Sequence, residues 1–209
     1  LFLLAKSDSG DSGYCFWKRN LPMKPFLTDG LTNQFFVKDS DIVYIEQRFD
    51  LPPQIMKNNR QFKQNLVVQS NPNYSKYDWG RVEMIDYTNS KGQALKGFLC
   101  YPSHYEMGKQ YPMIVHIYQR QFSYMHYFEP PSLYPSEGFV PSNYTTQGYF
   151  VFFPDIVFDL KATGPSALDC TLAGVNAVLG RGEVNPKKIG LIGHSFGGYE
   201  ANYIATQTN

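Results

Sequence analysis

The chain has 209 residues, of which 43% are hydrophobic and 18% are charged, and its formal net charge is +1. This composition is typical of globular proteins, and the length allows one large domain or two smaller ones. A charge this close to zero, without a basic run, argues against nucleic acid as a main partner. No stretch is long and apolar enough to predict a membrane span.

The cysteines Cys15, Cys100 and Cys170 are odd in number and far apart in the sequence. Their spacing matches neither a metal-binding motif nor a disulfide framework. Each is therefore expected to pack as a small buried residue. The sequence predicts no metal site and no cofactor.

Residues 1–70 are predicted to form short β-strands separated by polar turns such as Asp8-Ser9-Gly10 and Thr28-Asp29-Gly30. Strands of this length and spacing are typical of an all-β unit such as a propeller blade or a sandwich. No repeat of whole-blade length is visible, since only one or two blades would fit. The predicted strands are Leu1–Ala5, Tyr14–Lys18, Gln34–Val37, Ile42–Gln47 and Gln54–Met56.

Residues 71–79 are polar and rich in turn-forming residues, which predicts a linker. From residue 80 onward the pattern changes to longer apolar runs. The first two runs alternate like the strands of a hairpin, and the later ones have the length of buried strands. The predicted strands are Val82–Tyr87, Ala94–Tyr101, Met113–Tyr118, Tyr149–Phe153 and Ile189–Ile192.

A helix is predicted between the last two of these strands. Ser166 followed by Asp169 fits a capping box at its start, and Gly180 and Gly182 are suitable stop signals at its end. Apolar residues recur at a spacing that places them on one helix face. They are Leu168, Leu172, Val175 and Leu179.

The order of strand, helix, strand, sharp turn and helix predicts an α/β fold with a parallel sheet that is entered through an antiparallel hairpin. We interpret residues 80–209 as the front half of an α/β-hydrolase sheet. All-β material that resembles a terminal propeller blade precedes it.

The segment Gly193-His194-Ser195-Phe196-Gly197 matches the G-x-S-x-G nucleophile elbow. An apolar run precedes it and a helix-compatible segment follows it, which is the setting that makes a serine a nucleophile. Gly193, Gly197 and Gly198 would allow the tight turn and the close approach of neighbouring backbone. The amide of Phe196 would then face a developing oxyanion. The alternative is a glycine-rich turn whose serine only caps the helix.

The histidine and the acid of a catalytic triad are not found after Ser195, where this fold normally carries them. The remaining residues contain one acid, Glu200, and no histidine, because all four histidines lie at or before the elbow. We therefore expect this chain to be a fragment that is inactive by itself, with the triad Asp and His in a missing C-terminal part.

Two motifs and the domain order together resemble the prolyl oligopeptidase family of serine peptidases, which includes dipeptidyl peptidase IV and acylaminoacyl peptidase. One motif is the elbow extended through Gly198 and Tyr199. The other is Gly97–Pro102 followed by Lys109–Val115, which is similar to the family's entry strand and the strand after it. The third feature is β-rich material before a hydrolase domain, where the family has a β-propeller.

This resemblance implies that Ser195 is the acylated nucleophile and that the Phe196 amide is one oxyanion donor. Tyr118 matches the tyrosine whose hydroxyl is the second donor in part of the family, although a strand-end tyrosine can also simply pack. The chain departs from the family at Gln119-Arg120-Gln121, where small residues are usual. Arg120 is either a contact for a substrate carboxylate or a solvated loop residue.

The leading functional hypothesis is a serine peptidase that hydrolyses short peptides through an acyl-enzyme on Ser195. An esterase or lipase on the same fold is one alternative, and a non-catalytic hydrolase-like binding module is another. The expected partners are a peptide substrate, the C-terminal remainder of the hydrolase domain and a second copy in a homodimer. The long aromatic stretch from Phe122 to Tyr149 is predicted either to bind substrate or to pack against the preceding β-rich segment.

Overall fold

The computed structural model describes residues 2–17, 19–20, 22–23, 25–39, 41–59, 63–135 and 138–208. The chain divides into two compact units. The first runs to Tyr77 and includes Met125–Phe128, and the second begins at Asp78 and contains the rest. Leu1 and Lys18, which the sequence analysis assigns to strands, lie outside the described residues.

The first unit is all-β within the described ranges, apart from a 3-10 turn at Tyr74–Lys76. Its strands form an antiparallel three-stranded sheet and an antiparallel four-stranded sheet in which each strand pairs with the next. The first sheet contains β1 (Phe2–Lys6), β2 (Ser12–Phe16) and β3 (Pro25–Leu27). The second contains β4 (Leu31–Lys38), β5 (Asp41–Arg48), β6 (Leu51–Asn59) and β7 (Gln64–Gln69).

Aromatic side chains form the core of this unit. Tyr14 and Tyr44 are almost completely buried and lie with their ring centroids 5.9 Å apart. The Asn58 amide donates a hydrogen bond of 2.7 Å to the Tyr14 hydroxyl. The buried phenol is therefore satisfied, as a buried polar group must be.

The second unit has a mixed sheet, which in the described part of the chain has five strands in the order β12-β10-β11-β9-β8. The hairpin β8–β9 and the pair β9–β11 are antiparallel, whereas β10 is parallel to both β11 and β12. The strands are β8 (Val82–Thr88), β9 (Ala94–Cys100), β10 (Tyr111–Ile117), β11 (Phe150–Pro154) and β12 (Val184–Gly193). The helices are α1 (Ser142–Thr145), α2 (Thr163–Leu179) and α3 (Phe196–Ala205), with a 3-10 turn at Phe122–Tyr124.

The start of α2 differs from the predicted capping box. The helix begins at Thr163, and Ser166 lies inside it. The Ser166 hydroxyl accepts a hydrogen bond of 3.1 Å from the Asp159 amide, and an Asp169 carboxylate oxygen accepts one of 3.1 Å from the Ser90 amide. The two side chains that resemble a cap therefore bind neighbouring loops instead.

The predicted apolar stripe of α2 is confirmed at Leu168, Val175 and Leu179, which are partly buried and pack against the core, whereas Leu172 is 40% exposed. The fully buried part of the helix face consists mostly of small residues. A Cβ added at Gly174 would lie 2.9 Å from the Phe152 ring and 3.3 Å from the Tyr87 ring. Large aromatic side chains on the sheet leave room only for small residues on the helix. The buried residues of α2 are Gly164, Ser166, Ala167, Cys170, Thr171, Gly174 and Val178.

The prediction for the cysteines is confirmed, since Cys15, Cys100 and Cys170 are all buried and unpaired. Burial raises the pKa of the Cys100 thiol well above its ordinary value, because a thiolate would be desolvated there. This cysteine therefore behaves as a small apolar core residue.

Among the residues that the structure describes, none of the helices has both the length and the hydropathy that crossing a bilayer requires.

Candidate active site at the turn between β12 and α3

The elbow serine occupies a strained two-residue turn. Strand β12 ends at Gly193 and helix α3 begins at Phe196, so only His194 and Ser195 connect them. Ser195 has a φ of 54° and a ψ of −116°, a combination that side-chain-bearing residues rarely adopt. Such a conformation costs about 1–3 kcal/mol and persists only where the surrounding structure enforces it. The turn leaves the Ser195 side chain exposed.

Two glycines allow this turn by direct backbone contact. A Cβ at Gly193 would overlap the carbonyl oxygen of Gly197, and a Cβ at Gly197 would overlap the carbonyl oxygen of Ile117. Gly198 differs, because a Cβ there would make only an ordinary contact of 3.5 Å with the Gly193 carbonyl oxygen. The close approach that the sequence predicts is therefore concentrated at the first two glycines.

The hydroxyl of Ser195 makes no capping hydrogen bond to α3 within the described residues. The amide of Gly197 donates to the His194 carbonyl at 2.9 Å, and the amide of Gly198 donates to the Ser195 carbonyl at 3.0 Å. The Phe196 amide has no acceptor among the described residues. The serine is thus available for chemistry, and the amide next to it is an unused donor.

Tyr118 is brought to the elbow by the register of the parallel strands. Ile117, the last residue of β10, pairs with Gly193, the last residue of β12. The Cα of Tyr118 lies 3.4 Å from the position that a Cβ of Gly197 would occupy. Tyr118 is 40% exposed, and its hydroxyl has no hydrogen-bond partner in the part of the chain that is described. A second unused donor therefore follows directly on the strand that contacts the elbow.

The loop after Tyr118 is held by a buried carboxylate. One oxygen of Asp155 accepts hydrogen bonds from the amides of Gln121 at 2.6 Å and Phe122 at 2.9 Å. Burial raises the pKa of Asp155, and these two amides act against that rise. The Gln121 side chain also donates to the His116 carbonyl at 3.0 Å. This network fixes Gln121, one of the three bulky residues that follow Tyr118.

A cleft of about 380 Å³ adjoins this loop. The Ile156 amide donates to the Gln119 carbonyl at 3.0 Å, which joins the two sides of the cleft. The Phe158 ring lies 5.5 Å from the Phe196 ring, so the cleft is next to the elbow. Its lining residues are Gln119, Arg120, Ile156, Val157 and Phe158.

The histidines do not complete a triad with Ser195 in the described residues. His116 contacts Gln121 through Nδ1 at 3.0 Å, and His104 Nδ1 lies 3.1 Å from an oxygen of Asp78. His126 belongs to the first unit, where its Nε2 lies 3.3 Å from Asp11. His194 is exposed. Across the described ranges, no group of three or more His, Cys, Asp or Glu side chains is placed to hold a metal ion.

Part of the aromatic stretch between β10 and β11 is packed. The Phe139 ring stacks on His116 at 4.5 Å and on Tyr144 at 5.0 Å. Tyr134, by contrast, is 92% exposed. Phe139 and Tyr144 thus pack within the second unit. The predicted packing on β-rich material applies instead to Met125–Phe128, which belong to the first unit and where the Phe128 amide donates to the Gln47 side chain at 3.1 Å.

Glu200 lies on α3, five residues after Ser195, and its environment is not evident from the sequence. Its side chain is fully buried, and neither carboxylate oxygen has a hydrogen-bond partner within the described residues. Burial raises the pKa of Glu200 to about 8, because the charged form would be desolvated. A regular helical pattern with one acid gives no local signal for this burial.

We expect Glu200→Gln to remove a loss of folding stability that develops as the pH rises from about 5 to 8. The unfolded chain releases this proton near the ordinary glutamate value of 4.5, whereas the folded chain keeps it to about 8. The folded state therefore loses up to about 1.4 kcal/mol per pH unit across this window as the pH rises. The glutamine side chain of the variant stays neutral, so thermal unfolding of the full-length variant from pH 5 to 8 should show a gain over wild type that grows with pH.

An exposed carboxylate provides the control for this measurement. Asp86→Asn, on the outer strand β8, should leave the pH dependence unchanged. Parallel pH curves for wild type and Glu200→Gln would contradict the prediction, because they would mean that a donor in the intact protein stabilises the charged carboxylate.

No family model matches the chain. A curated relative, the uncharacterized peptidase YuxL of Bacillus subtilis (strain 168), is 27% identical over 131 residues, which make up 61% of this chain and 20% of that protein.

Solved peptidases share the fold. The isopeptidase AtxE2 matches 100% of this chain over 34% of its own, with a TM-score of 0.75 and 15% identity. The acylaminoacyl peptidase of Pyrococcus horikoshii matches 96% of this chain over 33% of its own, with a TM-score of 0.70 and 17% identity. The dipeptidyl peptidase 4 of Porphyromonas gingivalis matches 97% of this chain over 31% of its own, with a TM-score of 0.68 and 14% identity.

At these identities the likeness concerns the fold. The resemblance to acylaminoacyl peptidase, dipeptidyl peptidase and prolyl oligopeptidase structures is confirmed at that level. The chain spans about a third of the length of these solved structures and a fifth of the curated relative.

Proposed function

We propose that this chain is part of a serine peptidase of the prolyl oligopeptidase type, in which Ser195 forms an acyl-enzyme with a peptide substrate. The observation that carries the proposal is the strained, exposed conformation of Ser195, whose hydroxyl makes no capping bond within the described residues. A backbone strain of this kind at a surface serine is characteristic of functional sites. The peptidases that share the fold favour a peptide substrate over the ester of an esterase or lipase.

In the proposed mechanism the Ser195 oxygen attacks the scissile carbonyl carbon and its proton passes to a histidine base. The Phe196 amide and the Tyr118 hydroxyl donate hydrogen bonds to the oxyanion of the tetrahedral intermediate. The histidine then gives this proton to the leaving amine as the carbon–nitrogen bond breaks. In the second half of the reaction water attacks the acyl-enzyme, the histidine takes the proton of the water, and Ser195 is released.

The base and its acid are proposed to come from a part of the protein beyond these residues. The short span of this chain relative to the solved peptidases supports this, as does the lack of a histidine bonded to Ser195 among the described residues. Under the proposal, residues 80–209 are the N-terminal half of an α/β-hydrolase domain. Residues 1–70 are the end of a β-propeller, and residues 71–79 link the two.

Fluorophosphonate labelling of the full-length protein tests this function. A fluorophosphonate reacts with an activated serine, so we expect one label, located on Ser195 by peptide mass spectrometry and lost in Ser195→Ala. Ser123→Ala is the matched control, because Ser123 is an exposed serine in the loop that follows Tyr118, and it should be labelled like wild type.

The same sample separates the alternative functions. Hydrolysis of short peptides together with labelling supports the peptidase, whereas labelling with turnover of esters alone would favour an esterase. Labelling that persists in Ser195→Ala would refute the assignment of the nucleophile. A full-length protein with neither label nor turnover would favour the binding module.

A further inference from the structure

The cleft beside the elbow has the features of a subsite for part of a substrate. Its volume of about 380 Å³ falls at the lower end of the range of small-ligand sites, enough for one or two side chains. Val157 and Phe158 are partly exposed and form an apolar wall, whereas the Ile156 side chain is buried in the core behind them. Phe158 also contacts Phe196 next to the candidate nucleophile. A residue bound in the cleft would therefore lie close to the scissile bond.

Arg120 is the cation that lines this cleft. Its side chain is exposed and makes no hydrogen bond or ion pair with the described residues. Its charge favours the ionised form of Asp155, but the two form no ion pair within these ranges. One oxygen of Asp155 is already used by the amides of Gln121 and Phe122.

The backbone that carries Arg120 is held on both sides. The preceding residue, Gln119, accepts the Ile156 amide at 3.0 Å, and the following residue, Gln121, donates to Asp155 at 2.6 Å. The next acid along the chain, Asp159, forms an ion pair with Lys91. The backbone of Arg120 is therefore held in place, so a ligand has to order only the side chain, whose planar guanidinium is itself rigid.

On the basis of the proposed peptidase function, we infer that Arg120 and this cleft select substrates that carry a carboxylate near the scissile bond. A guanidinium binds a carboxylate through two parallel charge-assisted hydrogen bonds, and the apolar wall accommodates the carbon chain that bears it. The carboxylate is either an acidic side chain or a free C-terminus, because both present the same group. Arg120 is thus a specificity residue, outside the bond-making machinery of Ser195, Phe196 and Tyr118.

The test compares matched peptide substrates with the full-length enzyme. One pair differs only in a Glu or Gln next to the scissile bond, and the other only in a free or amidated C-terminus. We expect wild type to favour the carboxylate member of at least one pair by about tenfold or more in kcat/KM, as one charge-assisted contact allows. Arg120→Gln should abolish this preference, so that the two members of each pair are hydrolysed with similar kcat/KM.

Two further variants separate recognition from general charge. Arg120→Lys should keep part of the preference, because it retains the charge without the bidentate geometry. Lys188→Gln removes an equal charge from an exposed position on β12 and should keep the full preference. Loss of the preference in Lys188→Gln as well would overturn the inference, because it would show a general electrostatic effect.

The two pairs also identify the source of the carboxylate. A preference confined to the first pair assigns an acidic side chain, and one confined to the second assigns a free C-terminus. Hydrolysis of neutral peptides without any carboxylate preference, or with a preference that survives in Arg120→Gln, overturns the inference and leaves the peptidase standing. Failure to hydrolyse any peptide, with no fluorophosphonate label, instead overturns the proposed function.

Discussion

Replacement of Gly197 by alanine is expected to destabilise the full-length protein by about 3 kcal/mol or more and to abolish labelling of Ser195. The added Cβ would overlap the Ile117 carbonyl oxygen and lie 3.1 Å from the Ile117 carbonyl carbon. Both atoms belong to the backbone of β10, a strand with neighbours on both sides, so they cannot move away cheaply. The elbow itself must shift, which displaces the serine.

Gly198→Ala is the matched control for this substitution. The new Cβ would meet the Gly193 carbonyl oxygen at an ordinary 3.5 Å, and alanine is favoured over glycine inside a helix by about 1 kcal/mol. We expect the melting temperature of Gly198→Ala to equal or exceed that of wild type, whereas Gly197→Ala should melt clearly below wild type. Equal melting temperatures and equal labelling of Ser195 in the two variants would contradict this prediction, because they would show that the backbone of β10 can move to make room for the added Cβ.

Replacement of Tyr118 by phenylalanine is expected to lower kcat for peptide hydrolysis by about 10- to 1,000-fold with little change in KM. This range corresponds to the loss of one oxyanion donor, whose contribution is made in the transition state. Because the Tyr118 hydroxyl has no partner among the described residues, its removal should leave the melting temperature unchanged. Steady-state kinetics and thermal unfolding of the same full-length samples measure both effects.

Tyr134→Phe is the control for this second prediction. Tyr134 is 92% exposed, so losing its hydroxyl should affect neither kcat nor stability. A kcat that is unaltered in Tyr118→Phe would assign Tyr118 to packing at the end of its strand. A fall in the melting temperature together with kcat would mean that the hydroxyl has a structural partner in the intact protein.

Most strands of the second unit are predicted well because their signals are local, although the predicted strand Ile189–Ile192 covers only the second half of β12 (Val184–Gly193). The apolar runs at Val82–Tyr87, Ala94–Tyr101 and Met113–Tyr118 match β8, β9 and β10 to within two residues at each end. In the first unit, β3 and β7 are not predicted. β3 is short and begins with Pro25, and the residues Gln64–Val68 of β7 are exposed. Pairing with β2 and β6, rather than burial, defines these strands.

Helix α2 shows how far periodicity reaches. Three of the four large apolar residues of the predicted face pack against the core, but Leu172 on that face is 40% exposed. The rings of Phe152 and Tyr87 come from other parts of the chain and require a small residue at Gly174. The complementary face could be recognised only once those rings were known to lie opposite the helix.

The sequence by itself determined the elbow, because a strand, two glycines around a serine and a helix are all encoded within about twenty consecutive residues. The tertiary structure alone decided which groups meet there. The pairing of Ile117 with Gly193 brings Tyr118 to the elbow, and Asp155 orders the loop that carries Arg120. The burial of Glu200 was decided in the same way. Each of these depends on contacts between distant segments, for which local periodicity and composition carry no information.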